Sequence, residues 1–134
     1  MTYTELELIA ESKKGHVNNV KLYEYLDQAR LEWYRFCILL GVEAVAVHIE
    51  VDYKKEVFQS DKLFITTTIE RVGNTSFTLN QKIIRDEHEL VVSAEAVLAI
   101  IDRKLRSKVR VPDEVRNLLS KDSLLDYRPF VPTT

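Results

Sequence analysis

The polar loop Glu11-Ser12-Lys13-Lys14-Gly15-His16-Val17-Asn18-Asn19 gathers a carboxylate, a hydroxyl, an imidazole and two amides in one short run. A carboxylate here can serve as general base or nucleophile, and a hydroxyl can attack or hold a water. Glu11 is the only acid of the loop. No histidine stands where it would evidently activate Ser12, which favours water-holding over attack. His16 has two readings: a base, or a turn residue whose imidazole fixes the loop. Asn18 and Asn19 precede an apolar periodic run, so either can cap a helix. The start of a helix carries unpaired N–H groups and about half a positive charge, and it can hold an oxygen on which negative charge develops.

Further along, Tyr23, Asp27, Arg30 and Tyr34 are spaced 4, 3, 4 and share a helical stripe. Arg30 on that stripe is either a functional cation or the partner of Asp27 in an i,i+3 ion pair. Cys37 lies inside the helical pattern and reads as core packing. His16, His48 and His88 are too dispersed, with no supporting Cys or Glu spacing, to suggest a metal. No glycine-rich phosphate cradle occurs. Residues 103–110, Arg-Lys-Leu-Arg-Ser-Lys-Val-Arg, form the densest basic segment, either a solvated connector or a patch for phosphates. Ser76, beside the turn at Gly73-Asn74, is a hairpin residue or a wall of a binding site.

These groups sit in an ordinary globular composition: 46% hydrophobic and 30% charged residues, with a net charge of -2. That balance gives no basic field for nucleic acid. The single Cys excludes an intramolecular disulfide and any Cys-built zinc site. No apolar run approaches a membrane span and the acidic start does not read as a signal peptide, so a cytoplasmic protein without a membrane partner is expected. The length predicts one domain over residues 1–134, and only 3 Gly and 3 Pro imply long regular elements.

The elements follow from periodicity. Residues 3–10 alternate weakly and read as a strand. From Asn19 to Leu40 the apolar residues Leu22, Leu26, Ala29, Trp33, Phe36 and Leu40 are spaced 4, 3, 4, 3, 4, which predicts one long helix stopped by Gly41. Period two then takes over. Val45, Val47, Ile49, Val51 and Tyr53 alternate with polar or small residues. Residues 63–72 make a further strand, and residues 75–85 place Phe77, Leu79, Gln81 and Ile83 on one face. Residues 90–101 read as a central strand covered on both sides. Pro112 opens a short helix, and the tail from Tyr127 is expected to be extended and to dock on a neighbour. Strands grouped after one helix predict an α+β protein, an antiparallel sheet wrapped around the long central helix. Its edges make a homodimer the expectation.

Several of these motifs resemble one known family. Gly15-His16-Val17-Asn18-Asn19, then Tyr23, Leu26 and Ala29-Arg30, resembles the start of the central helix in hot-dog-fold thioesterases of the 4-hydroxybenzoyl-CoA thioesterase family. Val51-Asp52-Tyr53-Lys54, Phe58, Asp61-Lys62-Leu63, Val72-Gly73-Asn74-Thr75-Ser76-Phe77 and the run from Ala94 to Asp102 before Val111-Pro112 match in order. The likeness covers about residues 3 to 119 and leaves 119–134 outside it.

The resemblance implies the hot-dog fold and hydrolysis of an acyl thioester of coenzyme A or acyl carrier protein. Coenzyme A would enter as part of the substrate, with no separate cofactor. In the family the backbone N–H four residues after the glycine polarises the thioester carbonyl, which carries over onto Asn19. An Asp three residues before the glycine attacks or activates water, but here that position is Ser12, and Ala10 stands two residues earlier. Glu11 is the remaining acid. Some relatives lacking the acid depend on a helix Arg, which falls on Arg30. Asn19, Arg30, Ser12 and Glu11 are thus the candidate catalytic residues, and Gly15, His16, Asn18, Tyr23 and Ser76 the candidate substrate-binding ones. Two functions remain open: an acyl-CoA or acyl-carrier thioesterase, dimeric or tetrameric, and a non-catalytic acyl-thioester binder.

Overall fold

The apolar stripe of the long helical segment decides the architecture. Leu22, Leu26, Ala29, Trp33 and Phe36 are all buried, and Leu40 is half-buried at the end. In the computed structural model, which describes residues 1–131, the stripe packs against the buried residues of a five-stranded antiparallel sheet. The elements are β1 (Tyr3–Ile9), β2 (His16–Val17), α1 (Asn19–Ala29), α2 (Leu31–Leu39), β3 (Glu43–Tyr53), β4 (Val57–Phe58), β5 (Lys62–Val72), β6 (Ser76–Arg85), β7 (Glu89–Ile101) and α3 (Asp113–Arg116). The sheet order is β1-β5-β6-β7-β3, and β2 pairs with β4 in a separate ribbon. The period-two face of β6 is buried as expected: Phe77, Leu79, Gln81 and Ile83 are all inaccessible.

The helix is not continuous. Residues 19–40 read as one run, but the chain breaks it at Arg30. The Arg30 N–H turns to the Asp27 carbonyl three residues back (3.0 Å), which leaves the Leu26 carbonyl without its usual i+4 donor. Gln81 on β6 supplies the replacement, its Nε2 donating to Leu26 O at 2.9 Å. The break coincides with a polar layer through the core. Thr67, paired across the sheet with Gln81, joins it and the buried Arg30. On one side lies the cluster of Leu22, Leu26, Leu63, Ile65 and Ile83. On the other lies that of Trp33, Phe36, Ile69, Phe77 and Leu79.

Two further differences have local causes. The alternation read through Val45 to Tyr53 slips, because a bulge falls between Ala46 and His48. Val47 is the extra residue and is exposed, while Ile49 and Val51 keep the half-buried face. The segment leading into the tail, and the tail's start, pack on their own chain. Residues 123–125 run beside the start of β1, with Tyr3 N–H donating to Ser123 O (3.1 Å) and Leu125 N–H to Tyr3 O (2.8 Å). Tyr127 accepts from Arg35 of α2 (3.3 Å), and Phe130 packs edge-on against Phe36. Residues 128–130 form a 3-10 turn rather than an extended segment, and the last three residues of the expected tail lie outside the described ones. The start of β1 is thus covered, and among the described residues nothing pairs with the outer edge of β3.

Candidate functional site

Backbone bonds on both sides clamp the loop between β1 and α1. Ala10 N–H donates to Asp61 O (2.9 Å), Ser60 N–H to Ala10 O (2.8 Å) and Gln59 N–H to Gly15 O (2.8 Å). His16 and Val17 pair with Phe58 and Val57. The Glu11 N–H donates to the hydroxyl of Tyr25, a buried residue of α1 (3.1 Å). Ser12 closes the loop on itself: its hydroxyl donates to His16 O (2.5 Å) and accepts from Lys14 N–H (3.1 Å). Gly15 turns the chain at φ +90°, a conformation that a side chain would strain.

The helix start follows directly. Asn18 is extended and is the cap, its Oδ1 accepting from Lys21 N–H at 2.9 Å. The N–H groups of Asn19 and Val20 have no acceptor among the described residues. Beside them lies a cavity of about 240 Å³ walled by Glu11, Ser12, Lys13, Lys14, His16, Val17, Asn18 and Lys21. Unpaired donors next to a walled cavity with one exposed carboxylate can polarise a carbonyl oxygen and activate water. On the β3 side, the Tyr53 hydroxyl donates to Asn19 O at 3.3 Å. Burial first, and then the neighbouring Tyr23, push the Tyr53 phenol above its ordinary pKa. Tyr23 and Tyr53 both stay exposed.

Known proteins share this arrangement of sheet, helix and loop. The thioesterase superfamily model matches residues 14–92, the stretch from the loop into β7. The chain belongs to the thioesterase superfamily.

The long-chain acyl-CoA thioesterase FadM of Escherichia coli is 26% identical over 113 residues, which is 79% of this chain and 86% of that protein. The 1,4-dihydroxy-2-naphthoyl-CoA hydrolase of a Synechococcus strain is 34% identical over 84 residues, 63% of this chain and 56% of that one. A solved structure described as a predicted thioesterase from Bacillus stearothermophilus superposes with a TM-score of 0.76 at 20% identity, over 87% of this chain and 92% of that one. The fold is the hot-dog fold, as the family resemblance implied.

In this superfamily member the expected residues fall into two groups. Glu11, Ser12, His16 and Asn18 line one cavity, with Gly15 in the same loop and Asn19 and Tyr23 on the adjoining helix turns. Arg30 and Ser76 do not join them within the chain. Arg30 lies eleven residues along the helical segment from Asn19, about 16 Å. Its guanidinium is buried and bonded to Gln81 Oε1 (2.9 Å), Tyr34 Oη (3.1 Å) and Asp27 Oδ1 (3.2 Å). Within one chain Arg30 and the Asn19 N–H therefore cannot hold one oxyanion, and the i,i+3 pair with Asp27 is present. Ser76 pairs with Ala99, whereas the Asn19 end of the sheet is where Tyr53 pairs with Val92 and Val92 with Ile83. Seven residues of β6 separate those ends, about 24 Å.

The remaining candidates are accounted for by their neighbours. Burial pushes the Cys37 thiol up to about 12, which makes it an inert core residue. His48 meets Glu50 (3.0 Å) and His88 meets Asp86 O (2.7 Å), both at the surface. Among the described residues no group of three metal-ligating side chains forms, and no helix is long and apolar enough to cross a membrane. The basic segment 103–110 turns back at Arg106 and spends two cations in pairs, Arg106 with Glu43 (2.8 Å) and Arg110 with Asp113 (3.0 Å). Tyr25, Tyr53 and Gln81 have roles here that periodicity does not assign. For Gln81 the signal was present: it is a polar residue on an otherwise apolar strand face.

Proposed function

We propose that the protein hydrolyses acyl thioesters of coenzyme A or of an acyl carrier protein, with coenzyme A entering as part of the substrate. One observation carries this reading: the unpaired N–H groups at the start of α1 lie beside a cavity whose single carboxylate is Glu11. The thioester carbonyl oxygen sits on the Asn19 N–H. Glu11 takes a proton from a water that attacks the carbonyl carbon. The negative charge moves to the oxygen held by Asn19, and collapse breaks the C–S bond. The departing thiolate takes the proton back from Glu11, leaving a free acid and a thiol. His16 and Asn18 hold the substrate beside the carbonyl, with Tyr23 on the next helix turn.

Ser12 is assigned to the loop rather than to attack, since its proton is engaged by His16 O. The same observation favours a second reading, a binder of acyl thioesters whose chemistry lapsed when the acid left position 12. The assembly is a homodimer joined along the open edge of β3 and able to pair into a tetramer, in a cytoplasmic setting that keeps Cys37 reduced.

Thiol release from a panel of acyl-CoAs and one acyl carrier protein tests the reading. Wild-type turnover that falls about 100-fold or more in Glu11→Gln supports the base. Turnover undiminished by that change removes Glu11 from the mechanism. Saturable acyl-CoA binding without turnover favours the binder. Sedimentation of the wild type tests the dimer, and a monomer at micromolar concentration would overturn that part.

A further inference from the structure

We propose that Lys13 and Lys14 read the phosphate at the end of the phosphopantetheine arm, with Lys21 along the path between that phosphate and the reacting carbonyl. The proposal rests on the thioesterase reading for the position of the carbonyl at Asn19, and on separate observations for everything else.

The first observation is charge. The cavity beside α1 is walled by three ammonium groups and one carboxylate, in a chain whose net charge is -2. Lys21 is held by Glu24 at 3.5 Å and lies over the Tyr25 ring. Lys13 and Lys14 make no ion pair among the described residues and both are exposed. Against the single carboxylate of Glu11 in the same wall, two cations without an ion pair leave a net positive rim, which suits the anionic phosphate of the arm.

The second observation is length. His16 and Val17 are β2, and Asn18 is extended at ψ 165°, so the chain runs nearly straight back from Asn19 to the turn at Gly15. Four residues of extended chain span about 13 Å, and a lysine side chain reaches beyond its own Cα. A phosphopantetheine arm carries about thirteen bonds between sulfur and phosphorus, the length of a little over four extended residues, or about 15 Å. An arm laid along β2 from a carbonyl at the Asn19 N–H therefore has the length to bring its phosphate to the loop tip. The tip is clamped by the Ser12 hydroxyl and by the pairing of β2 with β4, so the two lysines stand on a fixed platform.

The third observation is the competing site. The basic segment 103–110 follows Ile101, which pairs with Glu43, while Asn19 lies at the Tyr53 end of β3. Ten residues of strand separate the two ends, about 30 Å. That is about twice the length of the arm, so within one chain this segment cannot hold a phosphate whose thioester sits on Asn19.

One acyl group on three carriers provides the test: coenzyme A, phosphopantetheine and unphosphorylated pantetheine. The enzymes are wild type, Lys13→Ala/Lys14→Ala, and Arg103→Ala/Lys104→Ala/Lys108→Ala. In the first variant the ratio of kcat/KM for acyl-phosphopantetheine over acyl-pantetheine is expected to fall about tenfold, and the ratio for acyl-CoA to fall with it. An unchanged ratio overturns the proposal, as does a fall that appears with the segment 103–110 variant instead. A fall confined to acyl-CoA also overturns it, because the nucleotide and not the arm's own phosphate would then be read. If wild type hydrolyses none of the three, the hydrolase reading fails by itself. The lysines are then judged by calorimetry with coenzyme A, where a Kd weakened about tenfold in the first variant supports them and an equal Kd rejects them. A loss shared by acyl-CoA and an acyl carrier protein shows that both carriers present the same phosphate to the same rim.

Discussion

Replacing Gln81 by Leu tests the claim that one side chain on β6 holds the helix break. Gln81 makes three buried bonds: Nε2 to Leu26 O (2.9 Å) and to Thr67 Oγ1 (3.1 Å), and Oε1 from Arg30 Nη1 (2.9 Å). Leu fits the space but leaves the Leu26 carbonyl and an Arg30 N–H unpaired in an inaccessible layer. An orphaned buried polar group costs about 1–3 kcal/mol, and a charged one more. The sum is about 3–5 kcal/mol, a large part of the roughly 5–15 kcal/mol that a domain has. For a chain of this size that is a fall in Tm of about 10–20 °C.

Urea denaturation of Gln81→Leu, Arg30→Met and the double variant reads the effect. The double variant removes donor and acceptor together, so it should be at least about 2 kcal/mol more stable than the sum of the single losses predicts. A Gln81→Leu variant within about 1 kcal/mol of wild type would refute the reasoning. Strict additivity of the two changes would refute it as well, because the residues would then not be acting as one network.

Two other outcomes follow from the same contacts. Asn18→Ala removes the cap on Lys21 N–H and should lower stability by about 1 kcal/mol, with Asn18→Asp close to wild type in the same urea titration. Cys37 should resist a water-soluble thiol reagent at pH 8 until the protein unfolds. Its folded pKa of about 12 lies above that of an exposed thiol, so the folded state holds the proton more tightly. Stability should therefore show no Cys37 effect below about pH 8.5 and then fall with rising pH toward 12, by at most about 1.4 kcal/mol per pH unit. A Cys37→Ala variant should lack that slope.

Much of this fold is written in periodicity. The stripe from Leu22 to Phe36 and the alternation on β5, β6 and β7 encode burial directly, because a face that must meet the core repeats at the period of its backbone. The features that escaped this logic are made by residues far apart in sequence. The helix break at Arg30 carries no Gly or Pro signal, since its cause is Gln81, fifty-one residues later. The bulge at Val47 is invisible because an apolar residue there continues the alternation that the bulge interrupts. The docked tail depends on main-chain bonds from residues 123–125 to Tyr3, which no side-chain pattern records. At the site, the helix cap and the turn at Gly15 were legible from residue type. The position of Arg30 was not, because spacing along a helix cannot say which partners fill the other side.

The substitution at position 12 has a structural consequence that bears on where the base lies. Ser12 donates its proton to His16 O and accepts from Lys14 N–H, and that pair of bonds sets the path of the chain into Gly15. An aspartate could accept from Lys14, but its carboxylate would face the His16 carbonyl with no proton to give. The loop seen here thus uses a hydroxyl, and an acid at position 12 gives up the bond to His16 O. Ser12→Asp should accordingly lower stability by about 1 kcal/mol, the net value of one exposed hydrogen bond, and leave thiol release no faster than wild type. Glu11→Gln should lower the activity about 100-fold or more. Ser12→Asp with unchanged stability and faster turnover would mean that the loop tolerates the acid and that Glu11 is a bystander. The base would then be missing from this chain, and the wild-type protein would be better described as a binder.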